Sequence, residues 1–263
     1  MHLYRVLTAI VLLPALLFLL LKGPLLAILL VSGLAALLAW HEYARMATLP
    51  FPVFLGGALA LVMGFFLLKQ GAGLLLLGLW SGLFLFLLYF LRHFEGQKSL
   101  FHLLSAMAGF FYVFLGFGHL FLIVTLPQGR LWMLYLLASI FGTDTGAFYA
   151  GKTLGRHKLI PRVSPGKTWE GTFGGLFLGI LLAVVLGLHF ELGKPFHLFL
   201  LAGVLSIVGQ LGDLLESLLK RGFGVKDSGT LLPGHGGILD RTDALIFAAP
   251  LLYWLLHLKG YGQ

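Results

Sequence analysis

Residues 217–243 read SLLKRGFGVKDSGTLLPGHGGILDRTD, setting three aspartates and four Lys or Arg residues beside apolar runs near 196–219 and 239–258. Each run is long enough to cross about 30 Å of hydrocarbon. An uncompensated Asp or Lys at the centre of a membrane helix costs roughly 2.5–3.5 kcal/mol, so a charged cluster between two such runs marks a functional site.

The rest of the chain has the same character. Of its 263 residues, 59% are hydrophobic and 11% charged, with a mean hydropathy of +0.98. These values exclude a water-soluble globule and predict an all-α, polytopic integral membrane protein. Apolar runs near 5–21, 24–41, 51–68, 71–91, 101–126, 130–150, 170–191, 196–219 and 239–258 predict about nine transmembrane helices. The first run lacks the small-residue cleavage pattern of a signal peptide and is expected to be retained. A net charge of +8 reflects loop residues of a membrane protein, so no nucleic-acid partner is inferred. The absence of cysteine excludes disulfides, thiolate metal sites and cysteine nucleophiles.

The positive-inside rule orients the spans. With the N-terminus in the cytoplasm, thirteen of the eighteen Lys and Arg residues fall inside. The polar loops near 151–169 and 220–238 then share the cytoplasmic face. Trp40, Trp132, Trp169 and Trp254 lie near predicted span ends, where interfacial anchors belong, and Trp80 lies mid-span.

Acidic residues divide the chain unevenly. Asp144, Asp213, Asp227, Asp240 and Asp243 all lie in the second half, whereas the first 143 residues hold only Glu42 and Glu95. Residues 1–126 therefore read as an N-terminal transmembrane scaffold and 127–263 as a catalytic transmembrane region. Scaffold glycines such as Gly56, Gly57, Gly109, Gly116 and Gly118 suit close helix packing. The ten histidines show no metal-ligand spacing.

Asp213, Glu216, Ser217 and Lys220 follow the i, i+3, i+4, i+7 pattern of one helix stripe. Asp213 and Ser217 offer a carboxylate and a hydroxyl to one hard cation such as magnesium; the competing reading pairs Asp213 with Lys220 or Arg221. Further on, Pro233, Gly234, His235, Gly236 and Gly237 form a sharply turning loop whose backbone could approach a phosphate. Asp240, Arg241 and Asp243 open the last span. An aspartate there is either an N-cap or, with Asp213, part of a cation and polyphosphate site.

A second cluster runs from Asp144 through Lys152, Arg156 and Lys158 to SPGKTWEG at 164–171. Lys167 and Thr168 stand at the expected start of the seventh span, where free N–H groups and the helix dipole favour anions. Asp144, inside an apolar span, requires a cation or polar partner. Gly146, Gly151, Lys152 and Thr153 match the spacing of a nucleotide-binding P-loop, but that motif needs a strand-to-helix turn of a soluble α/β domain and is rejected here.

Taken together, these residues resemble the phosphatidate cytidylyltransferase (CDP-diacylglycerol synthase) family. Its motif matches at Ser217, Lys220, Arg221, Lys226, Asp227, Gly229, Leu232, Pro233, His235, Gly236, Gly237, Asp240, Arg241 and Asp243, with Thr242 an accepted variant. The segments 210–213, 144–147 and 164–168 also resemble the family's pattern. Before residue 140 the likeness is hydropathic only.

The resemblance implies a membrane enzyme that condenses CTP with phosphatidate, giving CDP-diacylglycerol and pyrophosphate, and that requires magnesium, with room for a second cation. It implies Asp213, Asp240, Lys226 and Asp243 as catalytic groups and Asp213, Ser217, Asp240 and Asp144 as metal ligands. Lys167, Thr168, Lys220, Arg221, His235, Gly236, Gly237 and Arg241 are the implied substrate contacts, and Asp227 is either a ligand or a partner of Lys226. The expected setting is the bacterial inner membrane with the active site facing the cytoplasm, membrane lipid as surroundings, and helix surfaces that permit a homodimer. Two rivals remain: a CTP-dependent lipid kinase, which would release CDP, and a transporter, which would place its charges near the bilayer midplane.

Overall fold

The computed structural model describes residues 14–229 and 236–258, and over these the chain is an all-α membrane protein with one small hairpin. Residues 5–13 of the first apolar run and His235 lie outside the described residues; residues 14–22 of that run are helical. There follow α1 (Leu25–Met46), α2 (Phe51–Gln70), a 3₁₀ turn (Ala72–Leu74), α3 (Leu75–Arg92), α4 (Gln97–Thr125) and α5 (Gly129–Leu154). After the strands β1 (Lys158–Ile160) and β2 (Ser164–Thr168) come α6 (Trp169–His189), α7 (Pro195–Gly222) and α8 (Leu239–Leu256). Among the described residues seven helices, α1 to α7, are long and apolar enough to cross a membrane. Asp240, Arg241 and Asp243 in its opening turns set α8 apart.

The chain forms two compact units, one of residues 1–122 with 223–241 and one of 123–222 with 242–263. The segment 223–241 belongs with the N-terminal helices. A charged loop is separated in sequence from its unit by about a hundred residues, a relation that composition alone does not reveal.

The first unit is built on aromatics seated over glycines. Trp40 stacks against Tyr43 and Phe86 at 6.1 and 5.9 Å between centroids and meets Phe110 edge-on. A Cβ at Gly57 would overlap the Trp40 ring, one at Gly109 would overlap Tyr43, one at Gly82 would overlap Phe110, and one at Gly64 or Gly78 would overlap Phe114. In a bilayer, where lipid is as apolar as leucine, such notches supply the close packing that holds helices together. Trp40 is fully buried and donates its indole N–H to the Phe54 carbonyl at 2.9 Å. It is a core residue, not the interfacial anchor expected; Trp132 is buried likewise, whereas Trp169 and Trp254 are about half exposed.

The second unit is organised by small residues. Gly171, Gly174, Gly175 and Gly179 of α6 pack directly on Gly142, Thr143, Gly146, Ala147 and Ala150 of α5, so that a Cβ at any of the four would strike the facing backbone or side chains. At the bottom of this seam Thr143 and Ser206 share a 2.8 Å hydrogen bond, Thr143 lies 2.7 Å from the Ser139 carbonyl and can donate to it while accepting from Ser206, and Ser139 lies 3.3 Å from Ser206. These buried hydroxyls satisfy one another where water is absent. The P-loop look-alike at 146–153 lies wholly within α5. Its glycines face α6, which accounts for their presence without a nucleotide.

The loop expected at 151–169 is instead ordered. Strands β1 and β2 pair antiparallel, with Lys158 opposite Thr168 and Ile160 opposite Ser164. His157 gives its backbone N–H to Glu170 and its ring Nδ1 lies 2.6 Å from the same carboxylate, closing the base of the hairpin.

Candidate functional site

The second unit gathers one polar cluster at a single end. Because α5 and α7 run one way and α6 and α8 the other, the C-terminal ends of α5 and α7 meet the N-terminal ends of α6 and α8 there. Lys167, near the end of β2, reaches Asp213 of α7 at 2.5 Å between Nζ and Oδ2. One turn further along α7, Lys220 pairs with Glu216, which is 2% exposed. Of the two alternatives for Asp213, neither the Lys220 nor the Arg221 pairing is the one seen: its partner is Lys167, and Lys220 is committed to Glu216. Arg221 extends toward the hairpin turn, its Nε 3.5 Å from the Val163 carbonyl.

Helix α8 crosses α7 at Gly212. A Cβ there would lie 2.9 Å from the Asp243 carbonyl oxygen and against Phe247. Only glycine admits this approach, and it brings the residue next to Asp213 beside the start of the helix that carries Asp243. The Asp243 carboxyl lies within electrostatic reach of Asp213, Asp144 and Lys220. Three expected site aspartates of this unit, from α5, α7 and α8, thus share one neighbourhood with Lys167 and Lys220. Ser217 lies on the same α7 stripe and is partly buried.

Thr168 has a structural task at the start of α6. It is buried and accepts the Gly171 N–H at 3.1 Å as the N-cap of α6, while Thr172 donates back to its carbonyl at 3.1 Å. Gln210 of α7 reaches the Thr172 carbonyl at 3.4 Å. The start of α6 is therefore fixed from two sides, and Lys167 is fixed with it.

In the first unit the motif loop has its own geometry. Asp240 Oδ2 accepts the backbone N–H of Gly237 at 2.9 Å and of Ser228 at 3.0 Å, tying the two ends of the loop together. Asp240 lies in the first turn of α8 and accepts from residues that precede the helix, so these bonds tie the loop to α8 and do not cap it. Gly236 takes a φ of +82°, in the left-handed region. A Cβ at Gly237 would overlap Ser228 Oγ, and one at Gly229 would lie 2.7 Å from Glu42 Oε1. The space these two glycines leave open is filled by protein oxygens. Lys226, Asp227 and Arg241 are exposed on this loop.

Sequence reasoning passed over Glu42. This α1 residue is 2% exposed and its carboxylate accepts Ile238 N–H at 2.9 Å, Leu239 N–H at 3.0 Å and the Ser228 hydroxyl at 3.1 Å. The available signal was an acid at the very end of an apolar run, close to depths where intramembrane energetics singles out charge. Glu216 was placed on the α7 stripe without a role; its burial beside Lys220 supplies one.

Among the described residues no group of three acidic or imidazole side chains is gathered as a ready-made metal cage. Magnesium does not need one: it is held by one or two carboxylates together with substrate phosphates and water. The oxygen donors of Asp213, Asp243 and Asp144 suit that mode of binding.

Comparison with known proteins identifies the family. The model of the cytidylyltransferase family matches residues 3–259. A phosphatidate cytidylyltransferase of Staphylococcus epidermidis is 41% identical over 261 residues, covering 96% of this chain and 98% of the relative. Proteins of the same name from Staphylococcus aureus strain COL and Staphylococcus saprophyticus are each 39% identical, with the same coverage. A match that runs through both units, and includes the helices before residue 140 where only hydropathy had spoken, places this integral membrane chain, a nucleotidyltransferase, in the cytidylyltransferase family.

Proposed function

We propose that the enzyme condenses CTP with phosphatidate, yielding CDP-diacylglycerol and pyrophosphate, at the cytoplasmic face of a bacterial inner membrane. The observation that carries this reading is the union of alternating lysines and carboxylates at one end of α5 to α8 with full-length relatives named for that activity. The count of Lys and Arg in the loops supports an inward-facing site and a cytoplasmic N-terminus.

In the reaction a phosphate oxygen of phosphatidate attacks the α-phosphorus of CTP. The new P–O bond forms as the bond to the β-phosphate breaks, and the electron pair leaves with pyrophosphate. Phosphatidate is ionised at neutral pH, so no strong base is required; the work is to hold two anions in line and offset their repulsion. Magnesium, when bound, would neutralise phosphate charge and steady the leaving group. Asp213, Asp243 and Asp144, with Ser217, are the residues proposed to hold it.

Lys167 and Lys220 are proposed to meet phosphate oxygens. Each is held by a carboxylate, at 2.5 Å from Asp213 for Lys167 and by Glu216 for Lys220. A lysine so held loses less side-chain freedom on binding than a free one. By the motif resemblance, Lys226, His235, Asp240 and Arg241 are proposed to take part in the same reaction. Phosphatidate is proposed to reach the head-group site from the inner leaflet with its acyl chains among apolar helices.

The test is direct. Purified protein in detergent receives labelled CTP, phosphatidate and magnesium, and the products are resolved. Equal amounts of CDP-diacylglycerol and pyrophosphate are expected. Release of CDP with a newly phosphorylated lipid alcohol would identify a kinase instead, and no turnover of CTP would remove the assignment.

A further inference from the structure

We infer that Glu42, in the N-terminal helices, is a positioning residue for the reaction: its carboxylate holds together the two flanks of the motif loop, at Ser228 and at Ile238 and Leu239. The inference rests on the reading that residues 226–243 serve cytidylyl transfer. Four observations carry it.

The first is what the carboxylate binds. Oε1 accepts the Ile238 N–H, and Oε2 accepts both the Leu239 N–H and the Ser228 hydroxyl. Ile238 immediately precedes α8 and Leu239 opens it, and the N–H groups at a helix start have no intrahelical partner. A carboxylate at that end satisfies them and meets the positive end of the helix dipole. Glu42 thus caps α8 from another helix.

The second is the division of labour with Asp240. Ser228 gives its hydroxyl to Glu42 and its backbone N–H to Asp240, which also takes the Gly237 N–H. Two carboxylates, one from α1 and one from α8, therefore receive five donors from the two ends of the loop. Asp240 cannot hold its place in this arrangement unless Ser228 and Gly237 hold theirs, so Glu42 acts through them on a proposed site residue.

The third is the fit. Gly229 and Gly237 both lie so close to Glu42 that a Cβ on either would crowd the carboxylate. Glycine at those positions is explained by the clamp. The fourth is the rigidity of its base. Trp40 and Tyr43, flanking Glu42 on α1, fill the notches over Gly57 and Gly109, and Trp40 is hydrogen bonded to α2. The scaffold fixes α1, and α1 fixes the loop.

Glu42→Gln decides the matter because it keeps the shape while turning one acceptor into an N–H donor that faces another donor. Two readouts are taken on the full chain in detergent: amide hydrogen exchange, and kcat at saturating CTP and phosphatidate per folded molecule well below the melting midpoint. Faster exchange confined to residues 237–239 is expected, together with a fall in kcat of roughly tenfold or more. A role in bulk packing alone would lower the midpoint and leave kcat per folded molecule unchanged. Adding Ser228→Ala should then lower kcat by less than about threefold further, since both changes remove the same linkage. Glu95→Gln, on an exposed residue paired only loosely with Lys98, is the control that leaves kcat as it was. If Glu42→Gln does not insert, Ser228→Ala alone carries the comparison by removing one of the three donors.

Unchanged exchange at 237–239 overturns the clamp. Faster exchange with kcat within about twofold of the parent overturns the positioning role. Failure of the parent enzyme to form CDP-diacylglycerol sinks the substrate reading, and the exchange comparison still decides the clamp.

Discussion

The carboxylates of the two units are used in opposite ways. In the first unit Glu42 and Asp240 are bound by backbone N–H groups and one hydroxyl, partners that are fixed by the fold. In the second, Asp213 and Glu216 are bound by lysines, long side chains that carry charge and can change partner. Neutral donors fix a carboxylate for structure; a lysine leaves it available for exchange with an incoming ion. The difference teaches where chemistry is to be expected: Asp213, partly exposed and held by a lysine that can change partner, is proposed as a reagent, and the amide-bound carboxylates are proposed as architecture.

The sharpest way to break that contrast is Asp213→Asn. The residue is partly exposed, with 36% of its side chain accessible, so the fold does not depend on its charge. Turnover should fall about a thousandfold or more, a loss of roughly 4 kcal/mol in transition-state stabilisation, with the melting midpoint in detergent close to the parent. A steady-state rate within tenfold of the parent would remove Asp213 from the reaction.

Asp240→Asn tests the other side. An asparagine can still turn an oxygen toward the Ser228 and Gly237 N–H groups, so exchange protection of the loop should survive. If Asp240 also supplies charge to the reaction, kcat should nevertheless fall by about a hundredfold. Retained protection with retained rate would make Asp240 purely architectural and widen the contrast between the units.

What the sequence disclosed follows the range of the physics involved. Membrane spans are local properties of apolar length, and α1 to α7 fall where the runs predicted them. The charged motif was likewise legible, because its residues sit within one window. The hairpin was not: KLI and SPGKT are short, basic, and broken by Pro and Gly, so they read as loop until paired. Trp40 looked interfacial by position, and its burial depends on Gly57, seventeen residues away on another helix. Asp213 illustrates the same limit. Local spacing favours an i, i+4 pair, and the pair that forms that way is Glu216 with Lys220, leaving Asp213 to a lysine 46 residues upstream. Glu42 was hidden by the largest separation of all, 186 to 197 residues from its partners.

Glu216→Gln probes stability in the lysine-paired unit. Glu216 is 2% exposed and the Lys220 side chain 13% exposed, so neutralising one partner leaves a largely buried charge. Such losses run to about 3–5 kcal/mol. A clear drop in the melting midpoint is expected, and replacing both residues with Met and Leu should recover part of it. No change in midpoint for the single variant would show that Lys220 finds solvent or another partner at no cost.

The smallest effect belongs to Thr168→Ala. Its hydroxyl caps α6 through the Gly171 N–H, and loss of an N-cap costs about 1 kcal/mol. Serine keeps the oxygen and should restore most of that stability, although Thr168 also fills space beside Gly155 and Gly151, which serine fills less completely. The useful comparison is between the two variants. If alanine and serine destabilise equally, the methyl contact outweighs the cap. If serine is the better by about 1 kcal/mol, the hydroxyl is what anchors the start of α6, and with it Lys167, the preceding residue on β2, which pairs with Asp213.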